Sequence, residues 1–199
     1  MPGLCGRQDG TDRGGLMDGS VLTNRSSDNR RKADYYPTPT HCTQALIDYL
    51  QIPKTSVIWE PACGGGFMAE VFKSNGYSVI STDLFSYGYE DSTEDFLQSE
   101  CKECDWIITN PPFALSERFI RKCIQLEKPF ALLLKSQYWH SKKRFALFCE
   151  HKPQFVLPMT WRPDFEFGGR GGAPTMDCIW TVWNASPCCD TIYQPLKKP

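Results

Sequence analysis

The chain has 199 residues, of which 41% are hydrophobic, and 22 basic against 23 acidic residues give a formal net charge of −1. These values predict one globular domain with tails, and they argue against a protein that coats nucleic acid indiscriminately. No apolar run approaches the ~20 residues of a membrane span, and the first residues lack the apolar stretch of a signal peptide, so we expect a soluble cytoplasmic protein with no membrane partner.

Ten cysteines in a chain without an export signal predict reduced thiols rather than disulfides. A zinc site formed by Cys101-x-x-Cys104 and Cys188-Cys189 is disfavoured, because the first pair lies in an acidic segment and the second lacks metal-ligand spacing. Cys63 lies in a glycine loop where only a small residue fits. We therefore expect no bound metal and no catalytic cysteine.

Residues 1–32 are rich in Gly, Asp, Arg and Ser and show almost no periodic apolar pattern. Too few apolar side chains are present there for burial to offset the entropy of ordering the chain. This composition predicts a disordered tail before a globular domain of residues 33–186, and residues 187–199 are predicted to form a C-terminal tail.

From residue 35 onward, predicted strands and helices alternate. The strand-like runs fall at 57–59, 77–82, 106–109, 129–134, 155–157 and 179–183. Helical patterns fall at 39–50, 68–74, 116–126 and around Phe145 and Phe148. Thr38 and Ser116 are candidate N-caps, and Asn75-Gly76 stops the second helix. Since no helical segment joins the last two strands, the order predicts an α/β doubly wound sheet that ends in an antiparallel hairpin.

A glycine-rich loop, Glu60-Pro61-Ala62-Cys63-Gly64-Gly65-Gly66, follows the first strand and opens the next helix. Its three glycines let the backbone turn sharply and approach a ligand closely. The loop lacks both the spacing of a P-loop and the full dinucleotide fingerprint. An acidic residue at its start would repel a pyrophosphate, but it suits a cationic ligand such as an aminoacyl sulfonium.

Acidic residues also follow the next two strands. Asp83 ends the second strand, where a carboxylate can accept both hydroxyls of a ribose, although a strand-ending turn is the alternative. Asp95-Phe96 lies where the third strand should end. Asp95 is therefore a candidate acceptor for an adenine amino group and Phe96 for packing on the ring. Glu94 competes with Asp95 for this role.

Asn110-Pro111-Pro112-Phe113 follows the apolar run Trp106-Ile107-Ile108-Thr109. Two consecutive prolines form no ladder hydrogen bonds and hold the backbone extended and stiff. The motif offers an amide, the carbonyl of Pro111 and an aromatic ring, a combination that can grip a planar base with an exocyclic amino group. The same four residues are also an ordinary way to stop a strand, so the interpretation depends on the glycine loop and Asp83 upstream.

With these motifs in this order, the chain resembles the S-adenosylmethionine-dependent amino-methyltransferases that modify adenine N6 in DNA, most of all their compact phage and plasmid type. The resemblance covers roughly residues 34–184. It rests on Asp34-Tyr35-Tyr36-Pro37-Thr38-Pro39, Trp59 to Gly66, Asp105 to Phe113, Phe130 to Lys135, and Ile179 to Trp183. The Asn-Pro-Pro-Phe block alone is shared with RNA and protein methyltransferases.

The resemblance implies a Rossmann-like class I methyltransferase fold with a seven-stranded, mostly parallel sheet, over the domain 33–186. It implies S-adenosylmethionine as the methyl donor and a DNA base flipped into the pocket. The residues that it assigns to the donor are Tyr36, Pro37, Thr38, Glu60, Pro61, Ala62, Cys63, Gly64, Asp83, Leu84, Asp95, Phe96 and Asn110. The residues that it assigns to catalysis are Asn110, Pro111, Pro112 and Phe113.

In the implied mechanism, the Asn110 side-chain oxygen and the Pro111 carbonyl accept the two N–H bonds of the amino group, and Phe113 stacks on the base. RNA adenine N6, protein glutamine and cytosine N4 remain alternative acceptors. A non-catalytic nucleic-acid-binding module is the alternative of a different class. The sequence leaves the oligomeric state open.

Basic and aromatic residues that follow the predicted strand at 129–134 are candidates for nucleic-acid contact. The candidates are Lys135, Tyr138, Trp139, Lys142, Lys143, Arg162 and Arg170, and core packing is an equal alternative for Trp139.

Two features depart from the family pattern. Gly66 stands where an acidic or polar residue is usual, and Gly168 to Gly172 gives the last hairpin an unusually glycine-rich loop. We also find no room for a separate target-recognition domain.

Overall fold

The computed structural model describes residues 36–166, 173–185 and 190–199. The predicted N-terminal tail, the loop residues Gly168 to Gly172 with Arg170, and Cys188-Cys189 lie outside the described residues. The described residues belong to one compact unit, Lys32–Pro199. No helix among them is long and apolar enough to cross a membrane.

The described residues form one mixed sheet flanked by helices. Its eight strands are β1 (Val57–Glu60), β2 (Ser78–Asp83), β3 (Ser92–Thr93), β4 (Trp106–Thr109), β5 (Phe130–Lys135), β6 (Phe155–Pro158), β7 (Cys178–Trp183) and β8 (Ile192–Tyr193). The helices are α1 (Thr40–Leu50), α2 (Phe67–Ser74), α3 (Ser116–Gln125) and α4 (Phe145–Glu150). Three short 3-10 helices, Phe113–Leu115, Ser136–Trp139 and Lys142–Arg144, lie between them.

The strand order is β3-β2-β1-β4-β5-β7-β6-β8. Strands β1 to β5 are mutually parallel, whereas β7 runs antiparallel to both β5 and β6. The predicted α/β sheet with an antiparallel hairpin is therefore confirmed. Because parallel strands end at a common edge, the residues that follow β1, β2 and β4 are brought together at one side of the sheet.

The sheet has one strand more than the seven expected. The additional strand, β8, comes from the segment predicted to be a C-terminal tail, and it pairs in parallel with β6. Leu196, three residues later, is 3% exposed within the core. The prediction missed this strand because a two-residue pairing on a sheet edge leaves no apolar alternation to detect.

Strand alternation divides the core into two layers. Along β5, Ala131 and Leu133 pack on the side that carries α1 and α2, whereas Phe130, Leu132 and Leu134 pack on the side of α3 and α4. Burial on both faces explains why β5 is apolar throughout rather than alternating with polar residues. Each fully buried side chain of this kind contributes about 1.5–3 kcal/mol to folding.

Two predicted caps are wrong, and one helix stop is confirmed. Pro39 rather than Thr38 is the N-cap of α1, and Leu115 rather than Ser116 that of α3. The hydroxyl of Ser116 instead donates to the Phe113 carbonyl at 3.0 Å. Gly76, with φ of +85°, ends α2 in the left-handed conformation expected of Asn75-Gly76.

Candidate active site

The predicted site residues meet around one cavity of about 290 Å³ at the carboxyl edge of the sheet. All residues predicted to bind the donor line it except Gly64, as do Asn110 and Pro112 from the predicted catalytic group. Pro111 and Phe113 are not among the lining residues. The parallel order of β2, β1 and β4 thus brings the ends of these strands together, and Tyr36, 74 positions before Asn110, reaches the same cavity from the segment before α1.

Glu60, the last residue of β1, is 2% exposed. Its Oε2 atom has no hydrogen-bond partner among the described residues. Burial raises the pKa of this carboxyl well above 4.5, and the neighbouring Asp83 raises it further. A buried, incompletely satisfied carboxyl facing a cavity is suited to a ligand that brings a positive charge or a hydrogen-bond donor.

Asp83, the last residue of β2, holds the glycine loop in place. Its Oδ2 accepts the backbone N–H of Gly64 at 2.8 Å, and its Oδ1 accepts that of Phe85 at 3.0 Å. Burial raises the pKa of Asp83, and these backbone hydrogen bonds partly oppose the rise. The carboxylate is therefore fixed at the cavity wall by the two loops on either side of it.

Cys63 lies in the same loop and is 5% exposed. Burial raises the pKa of its thiol to about 12, with further contributions from Glu60 and Asp83. The thiol therefore stays protonated at neutral pH and is a poor nucleophile. The seven described cysteines are all free, and the described residues contain no group of three metal-ligating side chains.

Residues 84–91, which we call the 84–91 loop, fold over the glycine loop. The ring of Tyr89 occupies the space that a Cβ atom at Gly66 would need, and Gly66 has a φ of +80°. The Tyr89 hydroxyl donates to Glu70 Oε1 at 2.5 Å and accepts from Lys73 Nζ at 2.9 Å, both on α2. Gly66 is therefore required both by its backbone conformation and by the aromatic ring packed against it.

Glu90 stabilises the turn of the 84–91 loop from within. Its Oε2 accepts the backbone N–H groups of Tyr87 and Tyr89 at 3.0 and 3.1 Å. A hydrogen bond from Ser86 and these backbone bonds lower the pKa of Glu90 to about 2. The carboxylate is therefore charged at physiological pH, and the loop presents Leu84, Phe85 and Tyr87 to the cavity in a defined conformation.

Of the two acidic residues that compete after β3, Asp95 lines the cavity. Glu94 instead pairs with Lys102 at 2.8 Å and accepts from the Ser92 hydroxyl at 2.8 Å. Phe96 also lines the cavity, but its ring is 2% exposed and packs edge-on to Trp59 and against Phe119. Its burial within the core holds the Asp95 backbone at the cavity wall.

Asn110 is oriented from the opposite side of the cavity. Its Nδ2 donates to the Tyr36 carbonyl at 3.2 Å and to Thr38 Oγ1 at 3.1 Å. Two acceptors around one end of the amide place the nitrogen there and the oxygen at the other end. The resulting Oδ1 is buried and has no hydrogen-bond partner among the described residues. An oriented amide oxygen without a partner is the kind of acceptor that the N–H donor of a ligand satisfies.

An aromatic group extends from Asn110 toward solvent. The Phe113 ring lies 5.5 Å from that of Tyr36, and Tyr36 makes an edge contact with Phe165 at 5.9 Å. Lys135 at the end of β5 places its Nζ 4.4 Å from the centre of the Phe113 ring. Phe113 is half-buried, so its position is supported while part of the residue stays accessible.

The residues predicted to contact nucleic acid have different environments. Lys142 and Lys143 are exposed, and Lys135 is half-buried over Phe113. Arg162 is exposed but pairs with Asp177 at 2.7 Å. The ring of Trp139 stacks on Phe148 at 4.2 Å, and Tyr138 is 9% exposed within the core. Little of the Tyr138 ring is therefore accessible to a nucleic acid.

Sequence reasoning missed several aromatic residues of the cavity. Phe67, Phe85 and Tyr87 line it while remaining 40%, 50% and 37% exposed. Tyr89 was also missed. The available signal was the run Leu84-Phe85-Ser86-Tyr87 directly after Asp83, since exposed apolar and aromatic residues beside a strand end are typical of binding sites.

Comparison with known proteins places this geometry in context. The chain is 30% identical over 95 residues to the type II methyltransferase M.EcoRI of Escherichia coli, a match that covers 46% of this chain and 29% of that protein. The chain thus spans under a third of the length of this curated relative. No known family model matches the chain.

Solved structures of other proteins resemble this chain over a larger share of its length. A protein of Pyrococcus horikoshii assigned as an RNA methyltransferase superposes with a TM-score of 0.61 at 14% identity, covering 76% of this chain and 87% of that one. The methyltransferase subunit of a type I restriction-modification system from Streptococcus thermophilus gives a TM-score of 0.52 at 13% identity, covering 76% and 46%. The fold is that of class I methyltransferases. This confirms the fold class predicted from the sequence.

Proposed function

We propose that the protein transfers a methyl group from S-adenosylmethionine to the exocyclic N6 of adenine in DNA. The observation that carries the proposal is the amide of Asn110, held by Tyr36 and Thr38 with its Oδ1 buried and unpaired among the described residues. An amino group of a planar base supplies the N–H that this oxygen lacks. The M.EcoRI likeness supports methyl transfer as the reaction type.

The side chains of the cavity fit S-adenosylmethionine. Its sulfonium carries a positive charge, which the buried Glu60 carboxyl and the nearby Asp83 favour. Asp83 is fixed by backbone N–H groups at the end of β2, where it accepts ribose hydroxyls. Asp95 accepts from the adenine amino group, and Leu84, Phe85 and Phe96 supply apolar walls for the ring.

When bound, S-adenosylmethionine supplies an electrophilic methyl group, and the protein residues prepare the acceptor. The N6 lone pair of adenine is delocalised into the ring, which makes the nitrogen a poor nucleophile. Asn110 Oδ1 and the Pro111 carbonyl accept its two N–H bonds and draw it toward a pyramidal geometry. The proline pair keeps both acceptors on stiff backbone, so that little reorganisation is needed.

Phe113 stacks on the base, and its contacts with Tyr36 and Lys135 hold the ring in place. With the donor bound, N6 would take the methyl group, and S-adenosylhomocysteine would leave with the electrons of the broken sulfur–carbon bond. The released N6 proton would pass to water, because the neutral oxygens of Asn110 and Pro111 orient the N–H bonds but are too weakly basic to take a proton. Positioning and electrostatics therefore provide the catalysis. The protonated Cys63 thiol takes no part.

The same Asn-Pro-Pro geometry accommodates other amines. RNA adenine is the alternative acceptor, because one similar structure is assigned as an RNA methyltransferase. The full-length protein should therefore be incubated with labelled S-adenosylmethionine and, separately, with unmethylated duplex DNA, RNA and a protein mixture. Mass spectrometry of the products should find N6-methyladenine in the DNA. Label found only on RNA, on cytosine N4 or on protein glutamine would contradict the proposed acceptor. Absence of label on every acceptor would contradict methyl transfer.

A further inference from the structure

The segment from Lys128 to Cys149 differs in charge from the rest of the chain. It contains four lysines and one arginine but no acidic residue, although the whole protein has a net charge of −1. The segment comprises β5, two 3-10 helices and most of α4. A uniformly basic stretch in a nearly neutral protein is typical of a surface that meets phosphate.

Part of this segment is packed internally and forms a rigid support. Trp139 stacks on Phe148, and Tyr138 meets the same ring edge-on at 6.0 Å. The guanidinium of Arg144 lies 3.9 Å from the centre of the Tyr138 ring, and Arg144 Nη1 donates to the Tyr138 carbonyl. The arginine is therefore used to fold the segment onto itself.

Three neighbouring side chains are left outside this packing. Phe145 is 72% exposed, the highest value among the large hydrophobic residues that the structure describes. Lys142 and Lys143 are exposed and form no ion pair within the described ranges. Exposing a phenyl ring two residues after a pair of unpaired lysines has no benefit for folding, since burial of the ring would contribute favourably.

These three side chains follow β5, which ends at the same edge of the sheet as β4 and Asn110. Strands β4 and β5 are parallel neighbours, so Asn110 follows one and Ser136 the other at a common edge. The path from Lys135, which contacts Phe113, to Phe145 spans ten residues and includes two 3-10 helices, a contour of at most about 25 Å. Helix α4, which begins with Phe145, then leads to β6, whose first residue lies at the opposite edge of the sheet.

We infer that Phe145, Lys142 and Lys143 form a DNA contact surface beside the site, an inference that rests on the proposed function. The two lysines bind backbone phosphates. Phe145 stacks on a base of the DNA that is opened when the target nucleotide leaves the helix, as exposed apolar side chains do at distorted base steps. Charge complementarity favours this partner, because two exposed lysines without ion pairs among the described residues match the phosphates of a polyanion.

The test is DNA binding by the full-length protein, measured by fluorescence anisotropy with a short labelled duplex over a range of salt concentrations. Phe145→Ala should weaken binding by about 5- to 150-fold, the range for one lost base–aromatic contact. Phe145→Trp should retain most of the affinity. The double variant Lys142→Gln, Lys143→Gln should lower the slope of log affinity against log salt by about 1.8.

Matched controls are available on other parts of the molecule. Tyr193→Ala removes a ring that is 67% exposed on the edge strand β8. Lys197→Gln with Lys198→Gln removes two adjacent exposed positive charges that follow β8. Both controls should bind DNA like the parent protein. Equal weakening by the controls, parental binding by Phe145→Ala, or a preference of the surface for RNA over DNA would overturn the inference.

Methyl transfer is measured separately on the same proteins. If the parent methylates DNA and Phe145→Ala binds DNA unchanged, this surface is refuted while the proposed function stands. If the parent binds DNA through Phe145 but transfers no methyl group, the surface is supported while the proposed chemistry fails.

Discussion

The two sides of the cavity are built in opposite ways. On the glycine-loop side, Asp83 accepts two backbone N–H groups and the 84–91 loop is held down by Tyr89. On the Asn110 side, the amide nitrogen is satisfied while the oxygen is left without a partner among the described residues. The first side is organised before any ligand arrives. The second leaves a polar atom without a partner, which fits the acceptor role proposed for Asn110.

This contrast has an energetic meaning. A buried polar atom without a partner costs about 1–3 kcal/mol, so the protein accepts a destabilising group at Asn110 in its free state. Glu60 shows the same feature on the other side, where burial raises the pKa of the carboxyl. A ligand that pairs with these two side chains therefore gains the most binding free energy. Substitutions should separate their roles.

The largest effect is expected for Asn110→Ala. Loss of the oriented amide oxygen should lower the turnover number by about 10²- to 10³-fold, as for other preorganised polar groups at reacting centres. The dissociation constant for S-adenosylmethionine, measured by calorimetry, should stay close to that of the parent. Asn75→Ala, which changes an asparagine at the end of α2, is the control and should keep full turnover. Parental turnover in Asn110→Ala would refute the assigned chemistry.

Asp83→Ala should have the next largest effect, on the affinity for the donor rather than on turnover. Loss of a charged hydrogen-bond acceptor should weaken S-adenosylmethionine binding by about 10- to 150-fold, while turnover at saturating donor falls much less. Donor titrations at fixed DNA concentration give both parameters. A fall in turnover without a change in donor affinity would place Asp83 outside the donor site.

Thr38→Val tests how Asn110 is held. The variant removes the hydroxyl at 3.1 Å from Nδ2 but keeps the shape of the side chain. Turnover should fall by about 2- to 10-fold, the value of one neutral hydrogen bond, with donor affinity unchanged. Thr40→Val, a change to an exposed neighbour at the start of α1, should have no effect. Equal losses in both variants would show that Thr38 does not act through Asn110.

Tyr89→Ala tests the 84–91 loop. Without the ring against Gly66, the loop must be ordered on binding, and the KM for S-adenosylmethionine should rise by about 2- to 10-fold. Tyr89→Phe keeps the ring and loses only the contacts with Glu70 and Lys73, so its KM should change less. Identical KM values for the two variants would show that the ring contact is unimportant.

The smallest effect concerns protons at Glu60. Its pKa is raised in the folded state, so the folded protein binds more protons than the unfolded chain above pH 4.5. The stability that this group contributes is complete below that pH and is lost as the pH rises through the folded-state pKa. Glu60→Gln should therefore gain in free energy of unfolding relative to the parent as the pH is raised, as measured by urea unfolding.

The same group predicts proton release when the cationic donor binds, because the donor favours the charged carboxylate. Calorimetry in buffers of different ionisation enthalpy should show less than one proton released per donor molecule in the parent and none from this group in Glu60→Gln. Proton uptake in the parent would contradict the placement of the sulfonium near Glu60.

Much of the site follows from local patterns. A strand ending in Glu60, three glycines, Asp83 after the next strand and Asn110 before two prolines are each recognisable in the sequence. Parallel strands then force these ends to one edge, where 12 of the 13 residues predicted for the donor line the cavity, with residues 36–38 added from the segment before α1. Gly64 contributes by its backbone, donating to Asp83 instead.

Other features depend on contacts between distant parts of the chain. Thr38 is a capping residue by local sequence rules, but its hydroxyl accepts from Asn110, 72 positions away. The aromatic residues Tyr138 and Phe145 share one basic segment, yet the first is 9% exposed and the second 72%. Periodicity over so few residues cannot tell which ring is covered by its neighbours.

The sequence by itself determined the order of strands and helices, the antiparallel end of the sheet and the motifs that follow each strand, because these depend on interactions within a few residues. The tertiary structure alone decided that Tyr89 covers Gly66, that β8 extends the sheet, that the Asn110 oxygen is left unpaired and that Phe145 stays outside the core. The physical reason is that hydrogen-bond satisfaction and burial are properties of the whole packed chain, and each depends on partners that local sequence does not specify.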